Sequence, residues 1–228
     1  MKAIVPVKTN SLRCPGKNFK EFHDGNSLFD IRMKRLLKVM DSTDIYVSSE
    51  NPEVEDKAAK YGANFLLRDI ALTHNYTPMS KVITSIVSQV PGDDDIMWSQ
   101  VTEPCFCEIG EFLNIWKTHQ HMADSMAVVK KFKNFILDKD ACPVNFHFGQ
   151  WHRSSQMLPE WYLLPFTLLI AKRETIFRCS YYIGTSPFLY EYQGTLVDID
   201  NEEDFMVAQS VFKTLRCMDE IEPKTKSQ

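Results

Sequence analysis

The sequence predicts an α/β fold, with a mostly parallel central sheet and helices on both of its faces. Short apolar runs alternate with segments of helical periodicity over roughly the first 130 residues, the pattern of a parallel sheet joined by crossover helices. The hydrophobic share of 44% is enough to cover both faces of such a sheet. We expect a single domain over residues 1–228, in which residues 132–161 form an arm outside the sheet because they lack periodicity.

Runs of apolar and β-branched residues predict the strands of the sheet. They cover residues 3–7, 44–48, 65–67, 95–99, 125–130 and 163–171. Leu196 and Val197 are expected to form a further short strand, which would lead into the last helix of the chain.

Capping and turn residues predict where the helices begin. The expected helices start at or near Ser27, Asn51-Pro52, Thr77-Pro78, Ile109, Lys172 and Asn201. Ser27 and Asp30 have the spacing of a capping box, and Gly62 is placed to end the second helix. The polar tail after Asp219 is expected to fray.

Charge and hydropathy exclude several classes of function. The net charge is −4 and there is no basic block, so nucleic acid is not an expected partner. No stretch approaches the ~18–20 apolar residues that a membrane span needs, and no export signal opens the chain. The six cysteines are therefore expected to be reduced thiols, and we expect a cytoplasmic protein.

The first predicted strand leads into a basic loop at residues 6–18. Its charged and polar side chains are Lys8, Thr9, Asn10, Ser11, Arg13, Lys17 and Asn18. Ligands of open α/β sheets bind at the carboxyl ends of parallel strands, and positive side chains there suit a triphosphate. The loop lacks the Walker and dinucleotide-binding patterns, and a solvated basic loop is the alternative interpretation.

Asp198 and Asp200 are the second candidate feature. In an extended chain, side chains two residues apart share one face and lie about 6–7 Å apart, which suits a hard cation bridged to phosphate oxygens. The alternative is that Asp200 or Asn201 only caps the last helix while Asp198 is solvated.

These segments resemble the acylneuraminate (CMP-sialic acid) cytidylyltransferases. Residues 7–18 read V-K-T-N-S-L-R-C-P-G-K-N, which resembles the amino-terminal signature A-R-x-x-S-K-x-[IL]-P-x-K-N of that family. Residues 196–205 read L-V-D-I-D-N-E-E-D-F, which is similar to its closing S-[VI]-D-I-D-T-x-x-D-[LF]. Four further blocks with similar sequences follow the family's order, at residues 47–50, 61–68, 99–104 and 170–174.

The resemblance implies a Rossmann-like nucleotidyltransferase fold, and a homodimer formed through a small dimerisation arm. It implies transfer of CMP from CTP to a sialic-acid-like or other 2-keto-3-deoxy sugar acid, with release of pyrophosphate. The residues that would hold phosphates and ribose are Lys8, Ser11, Arg13, Lys17 and Asn18. By the same resemblance Arg68 and Thr77 would lie near the base and ribose, and Gln100 and Thr102 near the sugar acid.

Four of these residues would carry the catalytic step in such an enzyme. Lys17 and Arg13 would offset the phosphate charge, and Asp198 and Asp200 would bind Mg²⁺ or Mn²⁺ and thereby lower the charge on the leaving pyrophosphate.

The chain departs from the family pattern mainly on the acceptor side. Lys8 replaces an arginine, which keeps the charge but loses a bidentate fork. The family's R-x-N-G-A motif, which helps to grip the sugar acid, is L-L-P-F-T at residues 163–167. Two alternatives therefore stay open. One is a nucleotide-binding homologue with little or no catalysis, and the other is an enzyme for a different sugar or a sugar phosphate, with Arg153 and Lys172 as candidate phosphate ligands.

Overall fold

The computed structural model describes residues 1–215, so the polar tail after Asp219 lies outside the described residues. The strands are β1 Lys2–Pro6, β2 Glu21–His23, β3 Asn26–Ser27, β4 Ile45–Ser49, β5 Asn64–Leu67, β6 Ile96–Ser99, β7 Ser125–Phe132, β8 Trp161–Leu163, β9 Leu168–Ala171 and β10 Pro187–Glu191. The α-helices are α1 Leu28–Leu36, α2 Val54–Ala59, α3 Met79–Gln89, α4 Ile109–His119, α5 Arg173–Cys179 and α6 Glu202–Thr214.

The central sheet has the strand order β10-β7-β9-β6-β1-β4-β5, and β8 pairs with β7. All neighbouring strands on this path are parallel except β9, which runs antiparallel to both β6 and β7. The predicted mostly parallel sheet is confirmed. The carboxyl ends of β1, β4 and β6 therefore lie at one edge of the sheet, together with the amino end of β9.

Alternating side chains of the strands enter two separate cores. In β1, Ala3 and Val5 pack into one core, and Ile4 packs into the other. Helices α1, α2, α4 and α6 contribute to the first core, and α3 and α5 to the second. Helices thus cover both faces of the sheet, as predicted, because strands buried on both sides need a layer on each.

Two helices begin with reciprocal capping boxes. The Ser27 hydroxyl accepts from the Asp30 backbone N–H at 3.2 Å, and Asp30 accepts from the Ser27 N–H at 2.8 Å. Asn201 and Asp204 form the same arrangement at the start of α6, at 2.9 and 3.0 Å. Both helix starts were predicted, the first from the capping-box spacing of Ser27 and Asp30 and the second from Asn201 as a cap.

The expected strand over residues 163–171 is wrong in its first half. Strand β9 begins only at Leu168. Pro165 has no N–H for a sheet hydrogen bond, and Phe166 has a φ of 55°, in the left-handed region that breaks an extended chain. Trp161–Leu163 instead forms β8, which pairs with the far end of β7.

Other strand predictions also need correction. Leu196 and Val197 are not in a strand. The short β2–β3 hairpin was not predicted. The edge strand β10 was not predicted either, because it begins at a proline and has no clear apolar alternation.

Residues 133–160 leave the sheet after β7 and return to it as β8. An isolated bridge between Leu137 and Pro143 and two short 3₁₀ turns give this arm its shape. Phe135, Phe146 and His152 pack their rings together at its centre, with centroid distances of 4.9 to 5.8 Å. The arm also exposes apolar side chains, of which Trp151 is 69% exposed.

Across residues 1–215, none of the helices combines the length and the apolar character that a membrane span requires.

We expect Asn201→Ala to destabilise the fold by about 1 kcal/mol, because it removes the side-chain acceptor for the first turn of α6. The urea-unfolding free energy measures this loss. Ser210→Ala, in the exposed middle of the same helix, is the matched control. An equal loss in both variants would contradict the capping role of Asn201.

Candidate active site

Segments from opposite ends of the chain meet at the carboxyl edge of the sheet. The guanidinium of Arg13, in the loop after β1, lies 2.8 Å from an Asp200 carboxylate oxygen. The Lys17 ammonium lies 3.8 Å from the same oxygen and also donates to the backbone carbonyl of Ile199. The structure therefore brings together the basic loop and the carboxylates that precede α6.

Asp198 lies beside this ion-paired group. Its side chain is exposed to solvent, and one of its oxygens accepts a hydrogen bond from the Thr102 hydroxyl at 2.8 Å. Partial desolvation by the surrounding protein raises the pKa of the Asp198 carboxyl, and Asp200 nearby adds to the increase. A cation placed at this carboxyl would relieve the repulsion between the two aspartates.

A buried ion pair at the ends of β4 and β5 holds the start of the basic loop. The carboxylate of Glu50, directly after β4, accepts from the Thr9 N–H and hydroxyl at 2.8 and 2.9 Å. Arg68, directly after β5, donates to Glu50 at 3.0 Å and to the Val7 carbonyl at 2.9 Å. Both charged side chains are 4% exposed. Arg68 thus contacts the loop that was predicted to bind the nucleotide.

Hydrogen bonds lower the pKa of Glu50 despite burial, which acts in the opposite direction. Burial is the largest influence and raises the value, but the Thr9 N–H and hydroxyl and the Arg68 guanidinium together outweigh it. Glu50 is therefore an anion at neutral pH, and it holds the loop backbone in one position.

The remaining predicted residues lie around this frame. Asn18 donates its side-chain amide to the Lys8 carbonyl at 2.9 Å, which closes the loop on itself. The Lys8 ammonium donates to the Thr73 carbonyl at 2.6 Å, and the Thr77 hydroxyl donates to the Ala71 carbonyl at 2.9 Å. The first bond joins the basic loop to the segment between β5 and α3, and the second lies within that segment.

Ser11 and Gln100 complete the predicted set. Ser11 is half-buried in the basic loop. Gln100 directly follows β6, and its backbone N–H donates to Thr167 at 3.1 Å. Gln100 therefore faces the segment where the acylneuraminate family motif is replaced.

Sequence reasoning missed Glu50 as a site residue. A signal was present, since residues 47–50 read V-S-S-E where the resembling family has V-S-T-D. Its partner, Arg68, lies 18 residues along the chain, and nothing in the local sequence indicates that the two meet.

Lys172 is far from the position that a phosphate ligand would need, and that prediction is wrong. Strand β9 runs antiparallel, so its last residue, Ala171, pairs with Ile96 at the start of β6. Lys172 follows at the edge opposite to the basic loop, where its N–H donates to Asp124.

The profile of the cytidylyltransferase family matches residues 2–135, which include β1, the basic loop, Glu50 and Arg68. The chain belongs to the cytidylyltransferase family. A comparison with curated proteins found no match to its sequence.

Solved structures share the fold of this cytidylyltransferase-family chain. CMP:2-keto-3-deoxy-manno-octonic acid synthetase, solved with CTP, is similar with a TM-score of 0.65 at 11% identity, over 93% of this chain and 98% of that one. 4-Diphosphocytidyl-2C-methyl-D-erythritol synthase from Anaerococcus prevotii gives 0.59 at 13% identity, over 93% and 97%. HddC from Yersinia pseudotuberculosis, solved with GMP-PN, gives 0.60 at 12% identity, over 93% and 100%.

In residues 1–215, no group of three or more His, Cys, Asp or Glu side chains is arranged to hold a metal ion. The Asp198 and Asp200 pair therefore supplies too few ligands for a closed protein site. Carboxylate pairs of this kind suit Mg²⁺, which commonly takes its other ligands from water and substrate phosphates.

We expect Arg68→Met to lower the free energy of unfolding by about 3–5 kcal/mol, because it leaves the buried Glu50 carboxylate without its ion-pair partner. Urea unfolding near neutral pH measures the loss. The double variant Glu50→Leu/Arg68→Met is expected to recover most of it. Because the pKa of Glu50 is lowered, the contribution of the pair is present above the usual Glu pKa and is lost as the pH falls through the lowered value.

Lys2→Met provides the control, since Lys2 forms an ion pair with Asp44 in which both side chains are partly exposed. It should leave the unfolding free energy close to that of the unchanged chain. If Lys2→Met lowered the free energy of unfolding as much as Arg68→Met does, the larger contribution expected from the buried pair would be contradicted.

Proposed function

We propose that this chain transfers CMP from CTP to a 2-keto-3-deoxy sugar acid, with Mg²⁺ or Mn²⁺, and releases pyrophosphate. The observation that carries the proposal is the convergence of Arg13 and Lys17 with Asp200, beside Asp198. Family membership supports CTP as the nucleotide. The fold shared with a sugar-acid CMP synthetase supports the class of acceptor.

The basic loop has the charge that a nucleoside triphosphate requires. A triphosphate carries about four negative charges, and Arg and Lys side chains with free backbone N–H groups offset such charge. Arg13 is 70% exposed and paired only with the half-exposed Asp200 among the ion pairs of residues 1–215, so it can exchange that carboxylate for a phosphate. Lys8 would similarly exchange the Thr73 carbonyl for a phosphate oxygen.

Asp198 and Asp200 would hold the cation. Their oxygens are the ligands that Mg²⁺ prefers, and partial desolvation, with a smaller contribution from Asp200, raises the pKa of Asp198. When bound, the ion would lower the charge on the phosphates and on the pyrophosphate leaving group. Release of Asp200 from Arg13 would make both partners available at once, Asp200 to the cation and Arg13 to the phosphates.

The residues of this chain would act by positioning and by charge. Arg13, Lys17 and Lys8 would hold the phosphate chain so that an acceptor hydroxyl can attack the α-phosphorus in line. The Glu50–Arg68 pair fixes the backbone of this loop in advance, so little reorganisation would be needed in the transition state. No covalent intermediate with the protein is required.

The segment that replaces the sugar-acid motif of the resembling family, residues 163–167, has no charged side chain. Gln100 lies where the resembling family contacts the sugar acid, but leucines occupy residues 163 and 164 in place of the motif that begins with arginine. A carboxylate acceptor would therefore be bound mainly by hydrogen bonds and by the loop cations. This favours acceptors other than the usual acylneuraminates within the sugar-acid class.

Exposed apolar side chains of the arm support the proposal of a homodimer. The arm exposes a set of large apolar side chains, which are Phe135, Leu137, Val144, Phe148, Trp151 and Met157. Monomeric proteins rarely expose large contiguous apolar patches, and exposed aromatic residues commonly anchor interfaces. We propose that a second copy of the chain covers these side chains.

We expect release of pyrophosphate from CTP with Mg²⁺ and at least one member of a panel of 2-keto-3-deoxy sugar acids. Lys17→Met should lower kcat/KM by about 100-fold or more, because it removes a preorganised positive charge. Asp198→Ala should abolish the increase in pyrophosphate release that Mg²⁺ produces. Lys117→Met, an exposed lysine on α4, is the control and should leave the rate unchanged. CTP binding without release by any acid would instead support a nucleotide-binding homologue.

Light scattering should give twice the mass of one chain for the unchanged protein. Phe148→Ser/Trp151→Ser should shift it toward the monomer, because both changes remove apolar surface from the arm. Met122→Ser replaces an exposed apolar residue outside the arm and should not alter the mass. A monomeric unchanged protein would rule out the proposed dimer.

A further inference from the structure

Asp198 lies on a segment that the sheet does not hold. Residues 195–200 belong neither to a strand nor to a helix, so no ladder of hydrogen bonds sets the position of this carboxylate. A carboxylate that binds a metal needs outer contacts that fix its orientation, since a free rotamer would lose entropy on every binding event.

Thr102 supplies two contacts to this segment. Its hydroxyl donates to an Asp198 oxygen at 2.8 Å, and its backbone carbonyl accepts from the Ile199 N–H at 3.0 Å. One bond orients the carboxylate and the other fixes the backbone one residue later. Together they define the position of Asp198 without a sheet.

The turn that follows Thr102 is itself anchored from α1 by buried charge. Arg32 donates to the Glu103 carbonyl at 2.9 Å, and Arg35 donates to the carbonyls of Pro104 and Phe106. Both guanidiniums are at most 2% exposed. Buried charge is costly, and its acceptors here are all backbone carbonyls of one turn, so its structural effect is to hold that turn rigid.

We propose that Thr102 is a positioning residue for Asp198, acting through its hydroxyl, and that it does not bind the sugar acid as the family resemblance implies. The proposal rests on the proposed function, because it takes Asp198 to be a metal ligand. Thr102 would keep one Asp198 oxygen occupied and turn the other toward the cation. The buried arginines would fix the turn at residues 103–106 to α1, and the turn would thereby fix the position of Thr102.

A matched pair of substitutions isolates the hydroxyl. Thr102→Val has nearly the same shape without the donor, and Thr102→Ser keeps the donor without the methyl group. Calorimetry would measure the Kd for CTP with excess Mg²⁺ and with EDTA, in the absence of any acceptor. The ratio of the two values is the gain in affinity that depends on magnesium.

We expect Thr102→Val to reduce this gain by about tenfold, the scale seen when an outer partner of a metal ligand is removed. Thr102→Ser should keep a gain close to that of the unchanged protein. The Kd in EDTA and the melting temperature should be the same in both variants, which a general loss of structure would not allow. Thr118→Val, whose hydroxyl donates only to the Asn114 carbonyl within α4, is the control and should change nothing.

Asp198→Ala separates the two proposals. If Asp198→Ala removes the gain and Thr102→Val does not, the role of Thr102 is overturned and the metal site stands. If Asp198→Ala keeps the full gain, both are overturned. A raised KM for the sugar acid in Thr102→Val, with an unchanged magnesium gain, would assign Thr102 to the acceptor and overturn the positioning role. An equal loss of gain in the serine and valine variants would also overturn it.

Discussion

Opposite charges on segments from the two ends of the chain hold the candidate site together. Arg13 and Lys17 belong to the first connection after β1, and Asp200 to the last segment before α6. The sheet brings them close because the carboxyl end of β1 lies near its centre, while α6 packs in the core on one face. Under the proposed function, a ligand of matching charge would replace these internal ion pairs.

The candidate site combines a buried ion pair that fixes the loop with an exposed ion pair that a ligand could replace. The side chains of Glu50 and Arg68 are buried, and they hold the backbone of residues 7–9 through hydrogen bonds to charged groups. Arg13 is mostly exposed and Asp200 half-exposed, and an ion pair in that environment contributes little net free energy. Replacement of the exposed pair by phosphate and cation therefore costs little, while the frame that positions them stays in place.

Much of the fold and part of the site could be predicted from sequence. Periodicity and capping residues were sufficient for the central strands and for the helices at Ser27 and Asn201, because these features depend on neighbours in sequence. The break at residues 165 and 166 was missed although Pro165 is a local signal for it, and the edge strand β10 was missed because it begins at a proline and has no clear apolar alternation. The contacts of Arg68 with Glu50 and of Thr102 with Asp198 join residues 18 and 96 positions apart. Local patterns carry no information about such pairs.

The central claim is that the basic loop and the Asp198–Asp200 segment form one site for CTP and a divalent cation. The most direct measurement is the melting temperature with millimolar CTP, UTP, GTP or ATP, each with Mg²⁺ and with EDTA. For a Kd of about 100 μM, ligand binding adds about 1.4 kcal/mol, or roughly 3–6 °C for a chain of this size. The account predicts that CTP with Mg²⁺ gives the largest shift and that EDTA reduces it. Equal shifts for all four nucleotides, or a CTP shift that EDTA leaves unchanged, would contradict it.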